Sequence, residues 1–167
     1  MRRTRSLRLF LVFAIAIVCT VVVLVISNRG IATGQSSYVT QSQVMQQFTQ
    51  FTNELRARQN LPAMQQNRQL EQSAIAKLQD MQQLNYWGHR SPEGDSFSYF
   101  IWQYDADAQL VGENLARCFE SYDAAFAALV KSPTHYAVLT GDFTDIGVAS
   151  QKMTNGCESI VMHVSRS

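Results

Sequence analysis

Two runs near the C-terminus decide the fold: Thr144-Asp145-Ile146-Gly147-Val148-Ala149-Ser150-Gln151 and Glu158-Ser159-Ile160-Val161-Met162-His163-Val164-Ser165. Both alternate in the manner of a strand, the two-residue period of a chain with two unlike faces. Asn155-Gly156 lies between them, a pair suited to the positive-φ positions of a tight reversal. The chain therefore ends in an antiparallel hairpin. Working back, Val111 to Phe119 enters through Gly112-Glu113-Asn114 and reads as one more strand.

Helices precede the sheet. Val44, Phe48, Phe51 and Leu55 recur at helical spacing behind a capping box that opens at Thr40, and Pro62 lies beyond the helix end. A second helix begins near Asn67 and carries Leu70, Ala74, Leu78 and Met81 on one face. The other sides are rich in Gln and fit a solvated surface. Asn85 to Asp95 is a turn-rich loop, and Ser96 to Tyr104 is an aromatic segment of short-helix length. Ser121 caps a helix through Ala124, Phe126, Leu129 and Val130, and Ser132-Pro133 supplies the N-cap and first position of another, which carries His135. This order predicts an α+β fold, a sandwich of helices over a small antiparallel sheet.

The 167 residues allow one domain plus additions at the ends. Leu9 to Ile26 carries no charge, and its 18 residues as a helix would reach roughly 27 Å, about the thickness of a bilayer's hydrocarbon. Arg2, Arg3, Arg5 and Arg8 on one flank put the N-terminus in the cytoplasm and the rest outside. A cleaved signal peptide and a permanent anchor compete here. The long run and the absence of a small-x-small site at Ser27-Asn28-Arg29 favour the anchor. The expected organisation is a basic tip and transmembrane helix over 1–29, a linker over 30–40, and a domain over 41–167.

Charge follows that division. The chain's formal charge is +1, but residues 30–167 hold 9 basic and 13 acidic side chains, a balance of −4. An acidic domain argues against nucleic acid as a partner. Cys19 falls in the apolar run, leaving Cys118 and Cys157 in the domain. Outside the cell these favour a disulfide, with two separate buried thiols as the alternative.

His89, His135 and His163 are the only histidines. Alternation turns His163 away from Ile160, Met162 and Val164, which reads as a structural or exposed position. Glu113, entering a covered strand, needs a partner, because burying an unpaired carboxylate is costly. Two histidines and a carboxylate are a ligand set used for zinc, so His89, His135 and Glu113 form a candidate divalent-metal site. Ser132 near His135 invites a nucleophile-and-base reading, but the cap role accounts for Ser132.

Three segments in order, Tyr86-Trp87-Gly88-His89-Arg90-Ser91-Pro92, Gly112-Glu113-Asn114-Leu115-Ala116 and Ser132-Pro133-Thr134-His135, resemble the CAP superfamily of cysteine-rich secretory, antigen 5 and pathogenesis-related proteins. Asn53-Glu54-Leu55-Arg56, Leu61-Pro62 and Phe143-Thr144-Asp145-Ile146-Gly147-Val148 add to the likeness, which runs from about Gln43 to Val164 and is closest to the prokaryotic branch. The resemblance implies an α-β-α sandwich with a cleft around His89, Glu113 and His135, with Asn114 and Ser132 beside them. It departs at Ser132, where eukaryotic members carry a second glutamate, and at Leu129, where a tryptophan is usual. It further implies binding of a lipid, cell-wall or surface-protein ligand. A metal-dependent hydrolase and a purely structural or adhesive surface module are the alternatives.

Overall fold

The computed structural model describes residues 40–167. Helix α1 spans Gln41–Arg58, with Thr40 closing the capping box through Gln43. The two-residue strand β1 (Gln65–Gln66) leads to α2 (Arg68–Gln83), whose first amides are capped by the Asn67 side chain. Then come α3 (Phe97–Tyr104), β2 (Leu110–Arg117), α4 (Tyr122–Lys131), α5 (Pro133–Leu139), β3 (Asp145–Lys152) and β4 (Glu158–Arg166). The sheet order is β1-β3-β4-β2. The last three strands pair antiparallel, while β1 adds a parallel edge that alternation is too short to announce.

Register fixes what each face carries. Glu113, His163 and Gly147 stand opposite one another, as do Leu115, Val161 and Ala149, so all share one face. Helix α2 covers that face with Ala74, Leu78 and Met81. Contact there is close: a Cβ on Gly147 would run into the backbone of Leu70 and Glu71. The opposite face presents Ile146, Val148, Ile160, Met162 and Val164 to Val44, Phe48 and Leu55 of α1 and Phe126 and Leu129 of α4. Each large apolar side chain so buried contributes about 1.5–3 kcal/mol. The α-β-α sandwich is as expected.

Two ties fix the loops. Arg56 is fully buried at the end of α1 and donates to the carbonyls of Pro62, Leu139, Gly141 and Phe143, at 2.7, 3.1, 2.8 and 3.2 Å. It thereby holds the exit of α5 beside the start of β3. Cys118 and Cys157 form a disulfide, joining the end of β2 to the β3–β4 turn across a sequence separation of 39. Constraining the unfolded chain over such a loop is worth roughly 4 kcal/mol. The expected anchor and nearly all of the expected linker lie outside the described residues. Among the described residues no helix is long and apolar enough to cross a membrane.

Candidate functional site

Strand β2 is an edge strand, and a cleft of about 520 Å³ opens along its free side. One wall is the loop bearing His89 together with Phe97 of α3; the other is α5, with His135, Ala137 and Val138. Val111, Gly112, Glu113 and Asn114 form its floor. Gly112 is needed there, because a Cβ would press on Val164, Phe143 and Val138. The structure thus gathers His89, Glu113, Asn114 and His135 around one cleft. Ser132 starts α5 but does not line it. Of the aromatic segment only Phe97 reaches the cleft; Phe100 is core, and Tyr99, Trp102 and Tyr104 are exposed.

Glu113 is the centre of the polar arrangement. Its side chain is fully buried, and it accepts from His89 Nδ1 at 2.6 Å and from His163 Nε2 at 3.0 Å. His163 Nδ1 lies 2.7 Å from Ser73 Oγ on α2. Burial alone would raise the Glu113 pKa, but the bonds from His163 and His89 override it and hold the carboxyl below its ordinary value. The bond to Glu113 raises the His89 pKa against the effect of burial. For His163, burial outweighs the same carboxylate and lowers its pKa. The shared carboxylate thus favours the protonated form of His89, while burial favours the neutral form of His163.

Of the two readings of His163, structural or exposed, the structure shows the structural one. His163 does face away from Ile160, Met162 and Val164, but α2 covers that side as well, so the ring is fully buried instead of exposed. The missed signal was Ser73, the polar residue one turn after Leu70 on the apolar face of α2. Lys77, one turn further on, is also fully buried. Its ammonium donates to Tyr86 Oη at 2.7 Å, and Tyr86 donates to Asp80 at 2.5 Å. The same ammonium sits 4.8 Å from the ring centres of both Tyr86 and Phe100. Burial lowers the Lys77 pKa, with Glu113, Asp80 and Asp95 acting in the other direction.

The other residues around the cleft take distinct roles. Glu113 pairs with His89 and His163, not with His135, whose pKa is lowered by burial and by the charge of His89. From within β2 the Asn114 Nδ2 donates to the His135 carbonyl at 3.1 Å, tying α5 to the sheet. Its Oδ1 is buried and has no partner among the described residues. Ser132 occupies the N-cap of α5, yet its side chain makes no capping bond and instead meets Thr134 Oγ1 at 3.2 Å.

The donor set does not suit a metal. Both Glu113 oxygens are buried and each is already bonded to a histidine, so the carboxylate is not free to act as a third ligand beside His89 and His135. Among the described residues no group of three His, Cys, Asp or Glu side chains could hold an ion. No chemical step is assigned to one.

Comparison with known proteins agrees with this architecture. The profile of the cysteine-rich secretory protein family matches residues 49–164. YkwD of Bacillus subtilis (strain 168) is 33% identical over 100 residues, which are 59% of this chain and 39% of that protein, so the chain spans well under half of its relative. Among solved structures, an extracellular protein containing an SCP domain from Bacillus anthracis str. Ames superposes with a TM-score of 0.66 at 28% identity, covering 76% of this chain and 41% of that one. An outer surface protein of Borrelia burgdorferi gives 0.68 at 23% identity, covering 74% and 92%, a likeness of fold. With the matched profile reaching from α1 to the last strand, the chain belongs to the CAP (cysteine-rich secretory protein) family.

Proposed function

We propose that the chain is a membrane-anchored, extracytoplasmic CAP domain whose cleft binds an amphipathic surface ligand, a lipid with an anionic head. The observation that carries this reading is the division of the cleft. Val111, Ala137, Val138, Phe143 and Phe97 give it an apolar side. His89, whose bond to Glu113 favours its charged form, and His135 give it a polar pole. An apolar site with a few placed polar groups is what an acyl chain with a charged head requires. The acidic balance of the domain leaves His89 as the group that would draw such a head in. Location outside the cell is supported by the disulfide and by the extracellular Bacillus anthracis relative.

The test is a titration of the full chain, reconstituted in nanodiscs, with a long-chain fatty acid while the histidine ring resonances are followed. Saturable shifts of His89 and His135 are expected, and Val138→Trp, which fills the cleft, should abolish them. Rings that do not respond, or respond equally in the filled variant, would refute the reading.

A further inference from the structure

A second cavity lies at the opposite end of the same sheet face, beyond the C-terminus of α2. It encloses about 340 Å³ between the end of β2, the β3–β4 turn and the loop after α2. Unlike the cleft, its walls are mostly polar, with Gln82, Asn85, Asn155 and Ser159 among them, set around Trp87 and Arg117. Three observations mark it as more than a surface dent.

The first is Arg117. It is the only charged residue that lines the cavity, and it forms no ion pair among the described residues. Its guanidinium lies 5.0 Å from the centre of the Trp87 ring, a cation–π contact that favours one placement of this exposed side chain at the cavity rim. The second is Ser159. It is 1% exposed and its Oγ has no hydrogen-bond partner among the described residues, an orphan that costs about 1–3 kcal/mol unless something else satisfies it. The cavity it lines is where a partner can come from. The third is the frame. Cys118 follows Arg117, and Cys157 stands two residues before Ser159, so the disulfide clamps the two walls together. Cys118 takes a φ of 62°, an uncommon conformation for any residue but glycine, as the chain turns out of β2 just past Arg117.

From these we infer that the cavity at the disulfide end is a binding site for a small acidic sugar. Its carboxylate would sit on the Arg117 fork, and its hydroxyls would meet Ser159 and the amides of Asn85 and Asn155. A carboxylate matches a planar fork in two parallel hydrogen bonds, and among the described residues no acidic side chain lines the cavity to repel it. Hydroxyls suit a wall of serine and amides that both donate and accept. Neither feature suits an acyl chain, which separates this site from the cleft.

The experiment uses the full chain with Trp102→Phe, so that Trp87 alone reports by fluorescence, titrated with glucuronate and, in parallel, with glucose. A saturable response to glucuronate and a response at least about tenfold weaker to glucose are expected, since one charge-assisted bidentate contact is at stake. Arg117→Gln should remove the glucuronate response. Arg117→Lys, which keeps the charge but not the fork, should weaken it, and Ser159→Ala should weaken it several-fold. Equal responses to the two sugars, or an unchanged response in Arg117→Gln, would overturn the inference. Thermal midpoints of the variants identify a loss that comes from unfolding, and in that event the Arg117→Lys and Ser159→Ala titrations decide. The fatty-acid test at the cleft reads His89 and His135 and is independent of this outcome.

Discussion

The two faces of the sheet are both dry, yet they are built from different chemistry. Under α1 and α4 the strands present Ile146, Val148, Ile160, Met162 and Val164. Under α2 the same strands present Glu113, His163, Ser159 and Ser165 among a few apolar residues, met by Ser73 and Lys77 from the helix. Stability asks only for the first arrangement, because apolar burial requires no partner. The second demands a bond for each polar atom, and its members meet that demand unevenly: Glu113 is doubly bonded, while Ser159 is orphaned. Both proposed ligand sites lie at the ends of this polar row. The difference teaches where to look: a covered strand face that keeps its polar alternation is spending stability on something other than folding.

The largest expected effect breaks the polar face. Glu113→Ala leaves the His163 Nε2–H without an acceptor and Lys77 with less opposing charge, and should cost about 3–5 kcal/mol in urea unfolding. Met162→Ala on the apolar face should cost somewhat less, about 2–4 kcal/mol, as a cavity of ordinary kind. If the Glu113 variant were as stable as wild type, the polar row would carry no stability and the contrast between faces would fall.

Acidity separates the faces more finely. The His163 pKa is depressed below its ordinary 6.5 in the folded chain, so its contribution is present above 6.5 and fades as the pH falls below that value. The His89 pKa is raised above 6.5, so its contribution is present below 6.5 and fades as the pH climbs through the raised value. Glu113, depressed below 4.5, adds a steeper loss in acid under that value. Stability measured against pH should thus fall on both sides of a maximum near neutral pH. Met162→Ala should lower the whole curve without changing its shape, whereas His163→Leu should flatten the limb between the histidine and carboxyl ranges. A curve of unchanged shape in His163→Leu would show that the ring's burial does not govern that limb.

Much of this was legible in the sequence, for reasons that also mark where legibility stopped. Thr40, Asn67 and Ser121 announce helix starts because a cap is a local bond. The hairpin reads plainly because alternation and Asn155-Gly156 are local too. His89, Glu113, Asn114 and His135 could be placed at one cleft through the family motifs. The part that was hidden depends on layers. Whether His163 faces water or α2 turns on a helix some ninety residues earlier, and the β1 edge is too short to have a period. The unpartnered oxygens of Asn114 and Ser159 are likewise visible only once their neighbours are placed.

The smallest expected effect concerns one hydrogen atom. The Ser73 hydroxyl has a single proton and two acceptors within reach, the Leu70 carbonyl at 2.8 Å and His163 Nδ1 at 2.7 Å. If the proton went to Leu70, Nδ1 would have to be the donor towards Ser73. Nε2 must donate to the Glu113 carboxylate in any case, so His163 would then be a buried cation, which burial opposes. The neutral ring therefore carries its proton on Nε2 and accepts from Ser73. Ser73→Ala should cost only about 1 kcal/mol, since one neutral hydrogen bond is lost and the ring stays packed. Its ring nitrogens give the sharper readout: in wild type Nδ1 should show the shift of an unprotonated acceptor and Nε2 that of a proton carrier. A wild-type spectrum with both nitrogens protonated would mean that His163 is a buried cation beside Glu113. Burial would then have failed to keep the ring neutral, and the polar face would be held by charge instead of by neutral hydrogen bonds.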